Sequence, residues 1–441
     1  MNQSIPSSEP IIRVGILAAD SIEFELKGNF LLDSEIVVTG NYIINMNDVT
    51  SLPRIYKPLT SASTFILKKV VIGIGFHWEQ KEDQEFEGGL TLQVENGMIR
   101  AINEVPLESY LKSVISSEMS AMNDLNLLRA HAIVSRSWLL AQIQNKKKKE
   151  TATDCHTFAN TKVRNDGVFN EIIKWYDRED HDTFDVCADD HCQRYQGITK
   201  VISENAKKAI EDTRGQVLIY ENEICDARFS KCCGGISENF ENVWQPVKVP
   251  YLVAVRDFKP VRVDKPFRLT DEYYISSPEA FCNTKDPQIL SQVLIDFDQS
   301  TTNFYRWKVE YKQAEISSLI TKKSGFDFGE IIDLIPLERG NSGRIIRLKI
   351  VGTKKEVIVG KELEIRKWLS ESHMYSSAFI VKKSFEEDIK TPSKFTLHGA
   401  GWGHGVGMCQ IGAAVMSREG YTPAQILEHY FKGAVVEKIY C

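Results

Sequence analysis

The stretch Val105-Pro-Leu-Glu-Ser-Tyr-Leu-Lys-Ser-Val-Ile-Ser-Ser-Glu-Met119 marks the point at which the chain changes from strand-like to helical patterns. Pro106 suits the first position of a helix. After it, apolar residues and one glutamate recur at steps of four, three and four, which places them on one helical face: Leu107, Leu111, Val114 and Glu118. The spacing predicts a helix whose apolar stripe ends in a carboxylate.

A second helix is predicted directly after the first. Asp124 suits its N-cap, and four apolar residues then share one stripe: Leu128, Ala132, Leu139 and Ile143. Arg136 lies in the middle of this stripe. We expect the helix to dissolve into the four lysines of 146–149, a solvated end that the C-terminal helix dipole favours.

The sequence on either side of these helices is richer in strands. Alternating and apolar runs predict strands at 11–17, 65–75, 90–94, 306–311 and 343–352, whereas 362–369 and 423–430 predict short helices. Residues 150–200 are polar and predict a long loop tied by a metal. We therefore predict a β-rich, multi-domain α+β fold, with an N-terminal β-rich region over 1–97 and a functional region over 98–441.

Composition restricts the classes of function. The chain has 441 residues and a net charge of -6, which argues against a general nucleic-acid binder. No apolar run reaches the roughly 20 residues that span a bilayer. The first ten residues lack the features of a signal peptide, which favours the cytoplasm unless a leader has been removed. Nine cysteines, an odd number with one vicinal pair, fit reduced thiols and metal ligation better than a disulfide framework.

Glu118 is the first candidate site residue. Its place on an apolar stripe predicts desolvation, which raises a carboxyl pKa. Such a group can act as general acid and then as general base. Arg136, also on an apolar stripe, is expected close to it. The alternatives are a buried structural Glu–Arg pair, or a helix end at which Glu118 reaches solvent.

A second candidate is a group of cysteines and histidines within twelve residues: His181, Cys187, His191 and Cys192. This set, called here the Cys/His cluster, matches the tetrahedral preference of zinc. A closed site would be structural and would hold a loop with little apolar content. Cys155 and His156 lie upstream and compete as ligands. Free thiols with surface histidines are the alternative.

A third candidate is the glycine run, His398-Gly-Ala-Gly-Trp-Gly-His-Gly-Val-Gly-Met-Cys-Gln-Ile-Gly412. Six of its fifteen residues are glycine, which indicates sharp turns or a close approach to the backbone. One interpretation is a groove in which His404 and Gln410 bond polar substrate groups and Trp402 stacks on a sugar ring. The other is a tight turn region. Metal binding by His398 and His404 is disfavoured because no acidic residue accompanies them.

Together these segments resemble the SpoIID/LytB family of bacterial cell-wall proteins. The resemblance runs from about residue 98 to the end of the chain and is carried by segments in the family's order: Val105–Met119, Ala130–Trp138, Cys192–Tyr195, Gly234–Gly235, Ser342–Arg344 and Gly401–Ala413. Cys409 and Ile411 depart from the signature, which has Ser and Tyr there.

The resemblance implies a lytic transglycosylase that cleaves peptidoglycan and leaves a 1,6-anhydro-MurNAc end. It places the catalytic acid on Glu118 and structural zinc on the Cys/His cluster. Arg136, Trp402, His404 and Gln410 are expected to position the glycan strand. Two alternatives stay open: a non-catalytic peptidoglycan-binding module that enhances a cell-wall amidase, which another branch of the family implies, and a cytoplasmic enzyme that acts on recycled muropeptides.

Overall fold

The computed structural model describes residues 5–47, 53–73, 80–119, 124–151, 161–165, 170–175, 181–189, 191–199, 203–258, 269–293, 302–372, 374–387 and 390–441. The strands are β1 Ile11–Ala19, β2 Ser21–Leu32, β3 Ile36–Asn45, β4 Arg54–Pro58, β5 Thr64–Ile72, β6 Gln80–Glu87, β7 Gly89–Glu95, β8 Met98–Pro106, β9 Thr161–Asn165, β10 Asn170–Lys174, β11 Val186–Cys187, β12 Gln216–Tyr220, β13 Glu223–Ile224, β14 Phe229–Ser230, β15 Arg306–Lys312, β16 Ile331–Arg339, β17 Ile345–Gly352, β18 Glu356–Gly360, β19 Phe379–Ser384, β20 Lys394–Ala400, β21 Met408–Cys409 and β22 Val435–Lys438.

The helices are α1 Leu107–Glu118, α2 Leu125–Thr151, α3 Glu204–Asp212, α4 Asp271–Ile275, α5 Pro287–Val293, α6 Gln313–Ser324, α7 Glu362–Trp368, α8 Gln410–Arg418 and α9 Pro423–Tyr430. Helices and mainly antiparallel sheets are thus combined, which confirms the predicted α+β class. In the part of the chain that the structure describes, no helix has both the length and the apolar character needed to cross a membrane.

A nine-stranded sheet forms the N-terminal half of the fold, in the order β11-β1-β8-β7-β4-β2-β5-β6 with β3 on the outer side of β2. β8 pairs with β7 on one side and with β1 on the other, where Ile11 lies opposite Pro106. The sheet therefore continues past residue 97, the boundary predicted from sequence, and leads directly into α1.

One large core joins this sheet to α1, α2, α8 and α9. The predicted apolar face of α1 is buried in it through Leu107, Leu111 and Val114. A second core, formed by residues between Trp307 and Leu397, lies between the sheet β16-β17-β18-β10-β9, the sheet β15-β20-β19, and helices α6 and α7. The first core positions the candidate site.

α2 begins as the sequence predicts but ends later. Asp124 Oδ1 accepts the backbone N–H of Asn126 at 2.9 Å and caps the helix. The lysines of 146–149 lie inside α2, which runs to Thr151, so the predicted end was placed too early. Lysine is a good helix former, and Lys146 Nζ donates to the carbonyls of His181 and of Phe184, the latter at 3.3 Å.

A buried ion pair joins α1 to α2. Arg136 has no exposed surface, and its Nη2 and Nε lie 2.6 and 3.0 Å from the carboxylate of Glu108. The same carboxylate accepts the Gly215 N–H at 3.2 Å and the Tyr440 hydroxyl at 2.6 Å. The structural Glu–Arg pair is therefore present, but the partner of Arg136 is Glu108 and not Glu118.

Replacing Glu108 by Gln should strongly destabilise the protein, because Arg136 would keep its charge in the core without a carboxylate. Breaking a buried pair in this way costs about 3–5 kcal/mol in the free energy of unfolding. The control is Asp212→Asn at the partly exposed pair with Arg129, where the loss should stay below about 1 kcal/mol. Urea unfolding measures both; equal losses would contradict the prediction.

Candidate functional site

Glu118 is the last residue of α1 and is partly exposed. The helix end therefore brings the carboxylate to the surface, as one of the alternatives anticipated. Its Oε1 accepts the backbone N–H of Arg194 at 2.9 Å. This hydrogen bond fixes one oxygen and connects the end of α1 to a segment 76 residues further along the chain.

The residues around Arg194 lie along α1 and form what we call the connecting segment, 192–197. The hydroxyl of Tyr110 donates to Gln193 Oε1 at 3.3 Å, and the ring of Tyr110 stacks on Tyr195 with centroids 5.0 Å apart. Gln196 N–H donates to Ser113 Oγ at 3.1 Å. Because side chain, ring and backbone contacts all fall on α1, the Arg194 amide has a defined position beside Glu118.

The Cys/His cluster lies at the start of the connecting segment. Cys192 Sγ is 3.5 Å from His181 Nε2 and from His191 Nδ1, and Cys187 Sγ is 3.8 Å from the same His191 atom. All four ligand atoms lie within 4.8 Å of one another. Tetrahedral zinc separates nitrogen and sulfur ligands by about 3.5 Å, so the four residues can hold one ion. Cys155 and His156, the competing ligands, lie outside the described residues.

A cavity of about 280 Å³ borders the Cys/His cluster. Its lining includes Gly15 of β1, Arg100 of β8 and Arg194 of the connecting segment. Glu118 does not line it. Arg194 therefore borders the cavity and also holds Glu118 through its amide.

The glycine run turns sharply and is crowded by protein atoms. Four alternate glycines have left-handed backbone conformations, with φ of 75–89°: Gly401, Gly403, Gly405 and Gly407. A Cβ on Gly405 would lie 2.4 Å from Cζ of Arg344, and one on Gly407 would lie 2.1 Å from the carbonyl oxygen of Arg228. A side chain would collide with protein atoms at both positions, so the tight-turn interpretation explains why these two residues are glycine.

The guanidinium of Arg344 holds this turn and was not singled out as a site residue from the sequence. Its Nε and Nη2 donate to the carbonyl of Gly403 at 3.1 and 3.0 Å. Its Nη1 donates to Ser342 Oγ at 3.0 Å, and that hydroxyl donates to the buried carboxylate of Glu238 at 2.5 Å. In the sequence, residues 342–344 stand out only as part of the resemblance to the family.

His404 and Trp402 are half-buried and pack mainly against protein. Nδ1 of His404 accepts the Val406 N–H at 3.0 Å. Burial, together with nearby arginine side chains, lowers the pKa of His404 to about 3. The Trp402 ring lies 4.5 Å from the rings of both Phe304 and Tyr375. Only the partly exposed edges of these two side chains remain for a ligand.

Gln410 lies inside the protein and connects the glycine run to the connecting segment. It is 2% exposed, and its Nε2 lies 3.4 Å from His131 Nε2. His131 Nδ1 lies 3.3 Å from Ser135 Oγ, and the Ser135 carbonyl accepts Gln193 Nε2 at 3.4 Å. Like the buried Arg136, Gln410 has no surface for a substrate contact in this conformation, and its hydrogen bonds support the residues beside Glu118.

Comparison with known proteins is consistent with this organisation. The Stage II sporulation protein family model matches residues 95–220, which contain both Glu118 and the Cys/His cluster. A domain of unknown function (DUF8618) matches residues 238–407. The part of the chain that holds the candidate site is therefore similar to the Stage II sporulation protein family.

The comparison with curated relatives gives a similar result. The Amidase enhancer of Bacillus subtilis (strain 168) is 24% identical over 327 residues, which cover 74% of this chain and 40% of that protein. Stage II sporulation protein D of Bacillus amyloliquefaciens is 24% identical over 344 residues, which cover 77% of this chain and 76% of that protein. These matches confirm that the chain is related to the SpoIID/LytB family.

Removing a ligand of the Cys/His cluster should loosen the connecting segment. The Cys192→Ser variant should hold one equivalent of zinc less than the unsubstituted protein, because a thiolate ligand is lost. Hydrogen exchange should accelerate at the Arg194 amide. Elemental analysis and exchange mass spectrometry measure the two effects, and Cys441→Ser, at an exposed thiol, is the control. An unchanged metal content in Cys192→Ser would refute the assignment.

His131 should make stability depend on pH. Burial and the nearby Lys231 lower its pKa from 6.5 to about 3, so the folded state binds fewer protons than the unfolded state between these values. The free energy of unfolding should therefore fall as pH decreases from 6.5, by up to ~1.4 kcal/mol per pH unit for one proton. His131→Gln should reduce this slope in urea titrations; an unchanged slope would contradict the assignment.

Proposed function

We propose that this protein acts on bacterial cell-wall peptidoglycan as a lytic transglycosylase, with Glu118 as its acid and base. The observation that carries the proposal is the position of Glu118: partly exposed at the end of α1 and hydrogen-bonded to a backbone amide beside the Cys/His cluster. The relation to stage II sporulation proteins supports the substrate class.

The reaction needs only one carboxyl group. Glu118 donates its proton to the glycosidic oxygen while the bond from the MurNAc anomeric carbon to that oxygen breaks. The carboxylate then takes the proton of the MurNAc 6-hydroxyl, whose oxygen forms a new bond to the same anomeric carbon. The product is a 1,6-anhydro end, and the proton returns to Glu118. Hydrolases instead need a second carboxylate for water or for a covalent intermediate.

The other predicted residues take supporting roles in this proposal. Trp402 and His404 offer partly exposed edges to the glycan. Arg136 and Gln410 act indirectly, since both are buried and bond to protein groups. Zinc in the Cys/His cluster would be structural: all four positions are protein ligands, and fixing Cys192 also fixes the Arg194 amide two residues later.

Glu118→Gln tests the mechanism because it removes the acid and keeps the shape of the side chain. With amidase-treated peptidoglycan, release of anhydro-muropeptides should fall by about 10²-fold or more, as measured by mass spectrometry. Glu118→Ala should behave alike. Glu211→Gln, at an exposed carboxylate on α3, is the control and should retain full activity. Equal activity in the Glu118 variants would end this proposal.

The Amidase enhancer among the relatives supports a second candidate, a peptidoglycan-binding module that stimulates an amidase. The two functions differ in their need for Glu118. If the protein is an enhancer, it should release no anhydro ends, and Glu118→Gln should still increase peptide release by a cell-wall amidase as much as the unsubstituted protein does.

A further inference from the structure

A second group of metal-ligating side chains lies in the large core, away from the Cys/His cluster. It consists of Cys233, Asp257, Cys282 and Cys409, and we call it the buried cysteine cluster. All four residues are buried, and their ligand atoms lie within 4.8 Å of one another. The four residues come from separate segments of the chain, so no short sequence motif identifies the cluster.

The sulfur geometry suits one metal ion. Cys233 Sγ and Cys282 Sγ lie 3.6 Å apart, too far for a disulfide, whose bond is about 2.05 Å. Zinc–sulfur bonds of about 2.3 Å place two thiolates of a tetrahedral site about 3.8 Å apart. Cys409 Sγ accepts the Cys233 N–H at 3.2 Å and the Gly412 N–H at 3.4 Å. Backbone donors aimed at sulfur, at the start of α8, stabilise a thiolate.

Asp257 supplies the fourth ligand position. Its Oδ1 accepts the Tyr430 hydroxyl at 2.6 Å, and its Oδ2 accepts the Cys282 N–H at 2.9 Å. A Cβ on Gly412 would lie 2.6 Å from Oδ1, so glycine at this position makes room for the carboxylate. These contacts orient the carboxylate toward the sulfurs.

The carboxylate of Asp257 is buried beside the cysteine sulfurs. Among the described ion pairs, Asp257 has only His429 Nε2, at 4.0 Å. That nitrogen is buried and has no hydrogen-bond partner among the described residues. Burying a carboxylate beside thiols is costly unless a cation compensates it, and a divalent ion would do so. At 4.0 Å, His429 Nε2 is too far from the carboxylate for a hydrogen bond.

We propose that Cys233, Cys282, Cys409 and Asp257 bind one structural zinc ion. Four protein ligands close the site, and soft thiolates favour zinc over calcium or magnesium. The ion would attach the glycine run, through Cys409, to the segments of Cys233, Asp257 and Cys282. Cys409 stands where the family signature has Ser, so this chain gains a thiolate there. The proposal is independent of peptidoglycan cleavage.

Metal content of the full-length chain, purified without chelators, tests the proposal. Elemental analysis should give two equivalents of zinc per chain. Cys282→Ser and Asp257→Asn should each leave about one, while Cys192→Ser should leave one through the buried cysteine cluster. The matched control is Cys225→Ser, because Cys225 is a buried free thiol outside both clusters, and this variant should keep two.

A second measurement does not depend on whether the buried variants fold. The double variant Cys187→Ser/Cys192→Ser, which removes both thiolates of the Cys/His cluster and leaves the buried cysteine cluster intact, is refolded with Co²⁺ in place of zinc. Tetrahedral cobalt bands with sulfur-to-cobalt charge transfer are expected. Absence of these bands would overturn the proposal. A Cys233–Cys282 disulfide in the native protein would also overturn it, as would a Cys192→Ser variant that holds no zinc at all.

Discussion

The ion pair between Glu108 and Arg136 is the constraint on which the candidate site depends. Loss of either partner would leave a buried charge uncompensated, so the pair favours the observed arrangement of α1 and α2. Glu118 lies ten residues after Glu108 on the same helix, and its position follows from that arrangement. The Gly215 N–H and the Tyr440 hydroxyl donate to the Glu108 carboxylate, so the residue before β12 and a residue after β22 are held at this ion pair.

The connecting segment and the glycine run combine apolar packing in this core with directional hydrogen bonds. The four residues of the Cys/His cluster meet at the beginning of the connecting segment, and Tyr110 and Ser113 contact its remainder. In the glycine run, Arg344 donates to the carbonyl of Gly403, and Cys409 Sγ accepts the N–H of Cys233. Both segments therefore have a few directional contacts in addition to apolar packing.

The sequence predicts those features whose residues lie close together along the chain. The helical stripe ending in Glu118, the Asp124 cap and the Cys/His cluster were found because their residues are close in sequence. Long-range pairing was not predictable in this way. The partner of Arg136 is Glu108, 28 residues earlier in the chain, which does not belong to the predicted apolar stripe of α1. Arg344 fills the space beside Gly405, and Asp257 that beside Gly412, through contacts that only the folded chain creates.

The hydrogen bond from Tyr440 to Glu108 spans 332 residues. A ribosome synthesises α1 and α2 long before it reaches that tyrosine, and β22, which pairs with β12, also comes late. Contacts of such sequence separation slow folding, so we expect the contact of Tyr440 with Glu108 to form late in folding.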